Sequence, residues 1–394
     1  MWVDMVACCG LASVPLRNIG CKADVEAGGR DRELAVISYV SSAGRCPLRC
    51  ASAAFRRCRV ANRAAVIRGR TLLDGCRFCS KLSGVPAIPL IFVLGPTAAG
   101  KSALAVTLAQ QVGGEVVSAD AFAVYRGMDI GTAKPSAGER TAVPHHLVDV
   151  FEPEESCNGN RWFALADAAV QDIHARGRVP VVAGGTPLYA KLLLEGVSAG
   201  APRDDAVRAS LQSRWRADPL ALFSELQRLD PSYAAERHPN DARRVVRALE
   251  VCTLTGRPYS SFHTTDGIRR TDLRPLLLGL EWERAELYRR IDSRAAAMFA
   301  VGLVAEVASL ASRLSAEARQ AVGYKEVLAH LEGEASLAQA QAKVAQKSRN
   351  LAKHQLTWYR GWPDIAWLPA ADPALVEHAL ARVRAHLSSQ GAVD

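Results

Sequence analysis

Eight residues, Gly95-Pro96-Thr97-Ala98-Ala99-Gly100-Lys101-Ser102, carry the most explicit chemistry in this 394-residue chain. They fit the spacing G-x-x-x-x-G-K-[ST]. Glycines at both ends let the backbone curl so that successive N–H groups, backed by a helix N-terminus, converge on an anion. Lys101 adds a mobile positive charge, and the Ser102 hydroxyl is a hard oxygen ligand suited to Mg²⁺. The loop specifies a diphosphate or triphosphate and says nothing of its fate. A second candidate is Asp120, a carboxylate just after the short apolar run Val116-Val117. An acid there can ligate a metal, take a proton from a nucleophile or cap the next turn. His145-His146 resembles a metal pair, but adjacent side chains point apart on most backbones and no third ligand accompanies them, so a structural role is expected.

The elements that position these groups follow from periodicity. The apolar run Leu90-Ile91-Phe92-Val93-Leu94 reads as a strand entering the loop, and 103–111 reads as the helix leaving it. A second short strand closes at Asp120, a helix is predicted over 162–176, and a buried strand over 179–183 breaks at Gly184-Gly185-Thr186. Strands separated by helices predict an α/β fold, a P-loop NTPase-like parallel sheet with flanking helices. Ligands of such sheets bind beyond the carboxyl ends of the strands. The 95–102 loop, Asp120 and Thr186 should therefore ring one crevice.

Residues 198–283 change character. Helical periods at 205–215, 220–229 and 241–254, with no β run until Leu276-Leu277-Leu278-Gly279, predict an all-helical insertion domain. It interrupts a core made of 88–197 and 284–394, whose C-terminal part reads as helices over 284–313, 324–331 and 337–362. Arg243, Arg244 and Arg247 share a predicted helix and could form a stripe for phosphates, as could Lys343, Lys347, Asn350 and His354 near Lys353.

The formal charge of +9 does not itself argue for nucleic acid, because residues 1–87 hold 14 of the 49 Lys and Arg but only 6 of the 40 Asp and Glu. The remainder is close to neutral, so any basic surface there is a local patch. Eight of the ten cysteines also precede residue 80. The main body, with Cys157 and Cys252 alone, reads as a cytoplasmic protein without disulfides, and no apolar run approaches the length of a membrane span. Residues 1–87 lack a sustained period and read as a basic, Cys-rich extension, either poorly ordered or an over-called start of the reading frame. The Cys76-x-x-Cys79 pair with Cys46 and Cys50 does not match a regular zinc spacing.

Further strings carry a resemblance. They are Tyr125-Arg-Gly-Met-Asp-Ile-Gly-Thr-Ala-Lys-Pro135, Val143-Pro-His-His-Leu-Val-Asp149, Gly184-Gly-Thr-Pro-Leu-Tyr189, His238-Pro-Asn-Asp-Ala-Arg-Arg-Val-Val-Arg-Ala-Leu-Glu250, Val322-Gly-Tyr-Lys-Glu326 and Leu351-Ala-Lys-His-Gln-Leu-Thr-Trp358. Together with the 95–102 loop, and in this order from about 88 to about 368, they closely resemble the bacterial tRNA dimethylallyltransferase family. The resemblance implies transfer of a dimethylallyl group from dimethylallyl diphosphate to N6 of an adenosine beside the anticodon, with Mg²⁺ as cofactor and the tRNA anticodon stem-loop as partner. No obligate protein partner and no membrane is implied.

By the same resemblance Asp120 is the general base, while Thr97 and Arg294 bind the leaving diphosphate with Lys101 and Ser102. Asp120, Ala121, Phe122, Ala123, Thr186, Arg208, Arg243, Arg244, Arg247 and Lys353 match tRNA-contacting positions. The family usually has Ser directly after the base, so Ala121-Phe122-Ala123 is a departure. The competing readings are an adenylate isopentenyltransferase acting on a free nucleotide, a P-loop small-molecule kinase and a catalytically silent RNA-binding protein.

Overall fold

The computed structural model describes residues 87–197, 202–262 and 268–389, together with short strand segments at 23–24, 38–41 and 44–45. The chain divides into two compact units, Met1–Gly84 and Val85–Asp394, of which the second holds both the α/β core and the insertion. Cys46, Cys50, Cys76 and Cys79, weighed above as zinc ligands, lie outside the described residues.

The first half of the second unit alternates strand and helix: β1 (Ile88–Leu94), α1 (Lys101–Val112), β2 (Glu115–Ser118), α2 (Ala137–Ala142), β3 (His145–His146), α3 (Gly159–Ala175), β4 (Pro180–Ala183) and α4 (Pro187–Glu195). Four helices come next, α5 (Asp205–Ala217), α6 (Pro219–Leu229), α7 (Pro231–Ala235) and α8 (Ala242–Thr255). The chain then returns through β5 (Leu273–Glu281), α9 (Arg284–Ala300), α10 (Leu303–Leu310), α11 (Tyr324–Leu331), α12 (Leu337–Arg360), β6 (Ile365–Pro369) and α13 (Leu375–Ser388).

The six strands pair in parallel in the order β3-β2-β4-β1-β5-β6. β1 sits inside the sheet with all seven residues buried, as a continuous apolar run covered on both faces requires. Its side chains alternate between two cores. Leu90, Phe92 and Leu94 face α3, α4, α10 and α11, whereas Ile91 and Val93 face α1 and α13. This is the parallel α/β sheet with flanking helices that the sequence predicts.

The edge of the insertion differs from the expected 198–283. β5 runs in register beside β1, from Ile88 opposite Leu273 to Leu94 opposite Gly279, so it belongs to the core sheet. Arg274 and Pro275 conceal its first half, because neither reads as buried strand and Pro brings no N–H donor. The four insertion helices build a core of their own around Leu222, Phe223, Leu226, Val245 and Leu249.

The predicted 284–313 helix is also two helices. It breaks at Val301-Gly302, where Gly302 takes φ 109°, and the axis bends by 64°. No single helix among the described residues is long and apolar enough to cross a membrane.

Candidate functional site

The 95–102 loop joins the buried end of β1 to the start of α1. Gly95 (φ 145°) and Gly100 (φ 93°) take backbone conformations that a side chain disfavours, and a Cβ on Gly95 would lie 3.1 Å from the Leu280 carbonyl. Ala98 also has positive φ, 64°, which costs an L-residue roughly 1–2 kcal/mol. Two long-range donors hold this turn from outside. Arg290 Nε donates to the Ala98 carbonyl at 3.0 Å, and Trp282 Nε1 donates to the Ala99 carbonyl at 3.0 Å. The Arg290 guanidinium also stacks 4.4 Å above the Trp282 ring, so each clamp fixes the other. With the carbonyls turned outward, the N–H groups at the uncapped start of α1 are left for an anion.

Lys101 Nζ donates 2.6 Å back to the Pro96 carbonyl. Burial, aided by the nearby Arg294 charge and only partly opposed by Asp120, lowers its pKa to about 7. A bound diphosphate stabilises the ammonium, so binding above that pH must take up a proton. Donor affinity is therefore expected to be full below pH 7 and to fall above it by up to about tenfold per unit. Titration calorimetry across pH checks this, and Lys101→Met is expected to flatten the profile.

Asp120 stands at the carboxyl end of β2. Its Oδ1 accepts from the backbone N–H groups of Phe122 (2.9 Å) and Ala123 (3.1 Å), while Oδ2 has no partner among the described residues. The carboxylate thus both caps a turn and offers a free oxygen. The Ala121 N–H donates to Thr186 Oγ1 at 3.2 Å, tying this turn to the one after β4. Arg294, on α9, places Nη1 3.5 Å from Thr97 Oγ1, and burial lowers its pKa.

One cleft gathers these groups. Thr97, Asp120, Thr132, Arg294 and Ser348 give its lining polar groups, and Ile291, Met298, Val322, Val344 and Leu351 give it apolar surface, with Phe122 close in sequence to Asp120. The wall at Gly131-Thr132 is braced from beneath. The Glu306 carboxylate accepts from the N–H groups of Asp129 (2.9 Å), Ile130 (2.7 Å) and Gly131 (3.0 Å) and from the Tyr324 hydroxyl. Lys134, with its side chain 3% exposed, holds the other side of that loop through Asp129 (2.7 Å), Asp149 (2.5 Å) and the Tyr125 carbonyl (2.5 Å). The cleft thus combines polar groups next to the phosphate loop with an apolar lining, which suits an amphiphile better than a fully charged molecule.

Residues 123–362 match the model of the family described as IPP transferase, and residues 88–144 match that of isopentenyl transferase. The chain belongs to the IPP transferase family. It is 48% identical over 297 residues to the tRNA dimethylallyltransferase of Anaeromyxobacter dehalogenans strain 2CP-C, covering 74% of this chain and 98% of that one. The corresponding protein of Geobacter metallireducens is 45% identical over 283 residues, covering 71% and 92%.

Among solved structures, the tRNA isopentenylpyrophosphate transferase of Bacillus halodurans superposes with a TM-score of 0.57 at 36% identity, covering 77% of this chain and 98% of that one. A eukaryotic dimethylallyltransferase acting on tRNA gives 0.63 at 28%, covering 77% and 79%.

Within this IPP transferase the sequence-predicted residues fall into two groups. The 95–102 loop, Asp120, Ala121, Phe122, Ala123, Thr186 and Arg294 come together, Ala123 as a buried backbone donor and Phe122 as cleft wall. Ser102 is exposed in the first turn of α1, and its hydroxyl makes no hydrogen bond among the described residues, which fits a hard-oxygen ligand for Mg²⁺. Arg208, Arg243, Arg244 and Arg247 lie on the insertion and do not line the cleft.

Arg208 and Arg247 converge on the fully buried Glu250 at 2.6 and 2.8 Å, Arg247 also donates to the Pro202 carbonyl, and Arg244 pairs with Asp241. Burial opposes ionisation of Glu250, yet the arginines and the Asp204 N–H outweigh it and hold its pKa below the usual range. Arg243 is exposed, as are Lys343, Lys347, Lys353 and His354 on α12. His145 and His146 have structural partners, the Val143 carbonyl and Glu115.

Sequence reasoning gave no role to Trp282, Arg290, Glu306 or Gln355. Gln355 was visible only as one letter of a motif, and its 258-residue separation from Thr97 leaves no local signal.

Proposed function

We propose that this protein transfers a dimethylallyl group from dimethylallyl diphosphate to N6 of an adenosine in the tRNA anticodon stem-loop, releasing diphosphate. One observation carries the reading: Asp120, whose Oδ2 has no partner among the described residues, and Thr97 and Ala98 of the phosphate loop line the same cleft as the apolar Ile291, Met298 and Val344. The diphosphate sits on the N–H groups at the start of α1 and on Lys101, and the five-carbon chain lies along Ile291, Met298 and Val344. Adenine N6 attacks C1 of the chain, the C1–O bond breaks with its electron pair passing to the diphosphate, and the N6 proton passes to Asp120 Oδ2.

Thr97 and Arg294 meet the charge that develops on the departing oxygen. Ser102 would hold Mg²⁺ together with the diphosphate oxygens, and the ion would add positive charge beside the leaving group. The base must leave its stack to reach this depth. The exposed cations of α12, Lys343, Lys347 and Lys353, together with Arg243 of the insertion, supply phosphate contacts for a large cytoplasmic acceptor.

The protein is to be incubated with labelled dimethylallyl diphosphate and either tRNA or AMP. Label is expected in tRNA, with AMP at background. Label in AMP alone overturns the reading in favour of a free-nucleotide acceptor.

A further inference from the structure

Gln355 lies on α12 with its side chain in the interior, 6% exposed, and both ends of its amide are engaged. Oε1 accepts from the Thr97 N–H at 2.8 Å, and Nε2 donates to the Gly185 carbonyl at 2.6 Å. The amide fills space that Gly185 leaves open, since a Cβ there would stand 2.5 Å from Nε2. Gly184 is equally constrained, because its Cβ would meet the Ala119 carbonyl at 2.1 Å. The turn after β4 is thus pressed against the segment bearing Asp120 on one side and against Gln355 on the other.

These contacts form one continuous path. Thr97, whose hydroxyl faces Arg294, is held at its backbone by Gln355. Gln355 holds Gly185, and the next residue, Thr186, accepts from Ala121 N in the turn that Asp120 caps. Only a side chain carrying an acceptor and a donor side by side satisfies both loops at once.

We infer that Gln355 is a positioning residue for the transfer reaction: it sets the distance between the leaving-group loop at Thr97 and the base-bearing turn at Asp120. The inference rests on the proposed prenyl transfer. It assigns to Gln355 an effect on the chemical step through the Thr97 loop and the Asp120 turn together, its amide being engaged at both ends by backbone groups. Geometry errors of about 1 Å at reacting groups cost on the order of a hundredfold in rate.

The full chain is assayed with dimethylallyl diphosphate and tRNA by single turnover and at steady state. Gln355→Met is expected to lower kcat roughly tenfold to a hundredfold while both KM values stay within about threefold. Thr97→Ala together with Gln355→Met is expected to lose less than the product of the two single losses, because part of what the glutamine does is to place the threonine hydroxyl.

Gln355→Glu gives a second readout. Its neutral acid restores the donor and acceptor pair, whereas its carboxylate opposes the Gly185 carbonyl; burial raises its pKa, and Lys101 Nζ, which also stands against Gly185, opposes that rise. Its rate relative to the parent protein is therefore expected to rise as pH falls. Additive losses in the double variant, or a pH-independent ratio for Gln355→Glu, overturn the assignment. Absence of transfer by the unaltered protein in the same assay instead rejects the proposed reaction itself, so the two failures are distinct.

Discussion

Asp120→Asn is expected to reduce prenyl transfer to tRNA by roughly 10²–10⁴-fold, the range a positioned general base contributes, with tRNA affinity changed by less than about twofold. The asparagine is the informative variant because the carboxylate has two duties. Asn Oδ1 still accepts from the N–H groups of Phe122 and Ala123, so the turn survives, whereas an amide nitrogen in place of Oδ2 cannot take the N6 proton. Asp120→Ala removes both duties and leaves two backbone donors without their acceptor, so its loss mixes chemistry with a loosened turn.

Loss of the charge has a second effect. Asp120 opposes the depression of the Lys101 pKa, and without its negative charge the lysine titrates lower still. The variant is therefore expected to bind dimethylallyl diphosphate more weakly near pH 7.5, a defect that lessens as pH falls. Single-turnover transfer of label, with fluorescence titration of tRNA, separates these effects. A rate within about threefold of the unaltered protein removes Asp120 from the role of base.

Features that depend on neighbours in the chain were legible in the sequence. The phosphate loop announces itself because glycine at Gly95 and Gly100, the apolar β1 and the helix start all sit within a few residues. The insertion helices α5 and α8 are legible in the same way, from apolar periods that follow the N-caps Asp204 and Asp241. The site's scaffolding is not local. Arg290 reaches Ala98 across 192 positions, Trp282 reaches Ala99 across 183, and Glu306 binds a loop some 175 residues earlier.

The basic stripe is the converse case, since the partner of Arg247 is close at hand. Glu250 lies three residues beyond Arg247 on the same helix face, and an i, i+3 pairing rule applied to that helix points to the ion pair that turns Arg247 toward the interior. Whether a stripe of arginines is free for phosphate is read only after the carboxylates beside it have been counted. The hidden first half of β5 has another cause: β6 pairs with β5 only from Leu277 onward, so Arg274 and Pro275 have β1 on one side alone, and hydropathy assigns them to a loop.

Arg294→Ala is expected to lower kcat by about 10²–10³-fold, the scale measured when one preorganised donor to a developing negative charge is removed. The guanidinium already stands in the wall of the cleft beside Thr97, partly dehydrated, so it needs no reorganisation when the C1–O bond breaks. That placement is unfavourable in the absence of diphosphate. Burial lowers the Arg294 pKa, and its single hydrogen bond among the described residues is the long contact of 3.5 Å to the Thr97 hydroxyl. Removing the charge is therefore expected to leave the melting temperature unchanged or raised, the opposite of what a structural arginine gives.

The same substitution acts on Lys101, because Arg294 is the second cause, after burial, of its lowered pKa. With that repulsion gone the lysine pKa rises, and the fall in donor affinity moves from just above pH 7 to higher pH. The three observables have different origins. A slower rate, an undiminished melting temperature and a shifted binding profile together require a cation placed for the leaving group, whereas a lowered melting temperature with donor binding unchanged across pH assigns Arg294 to the fold.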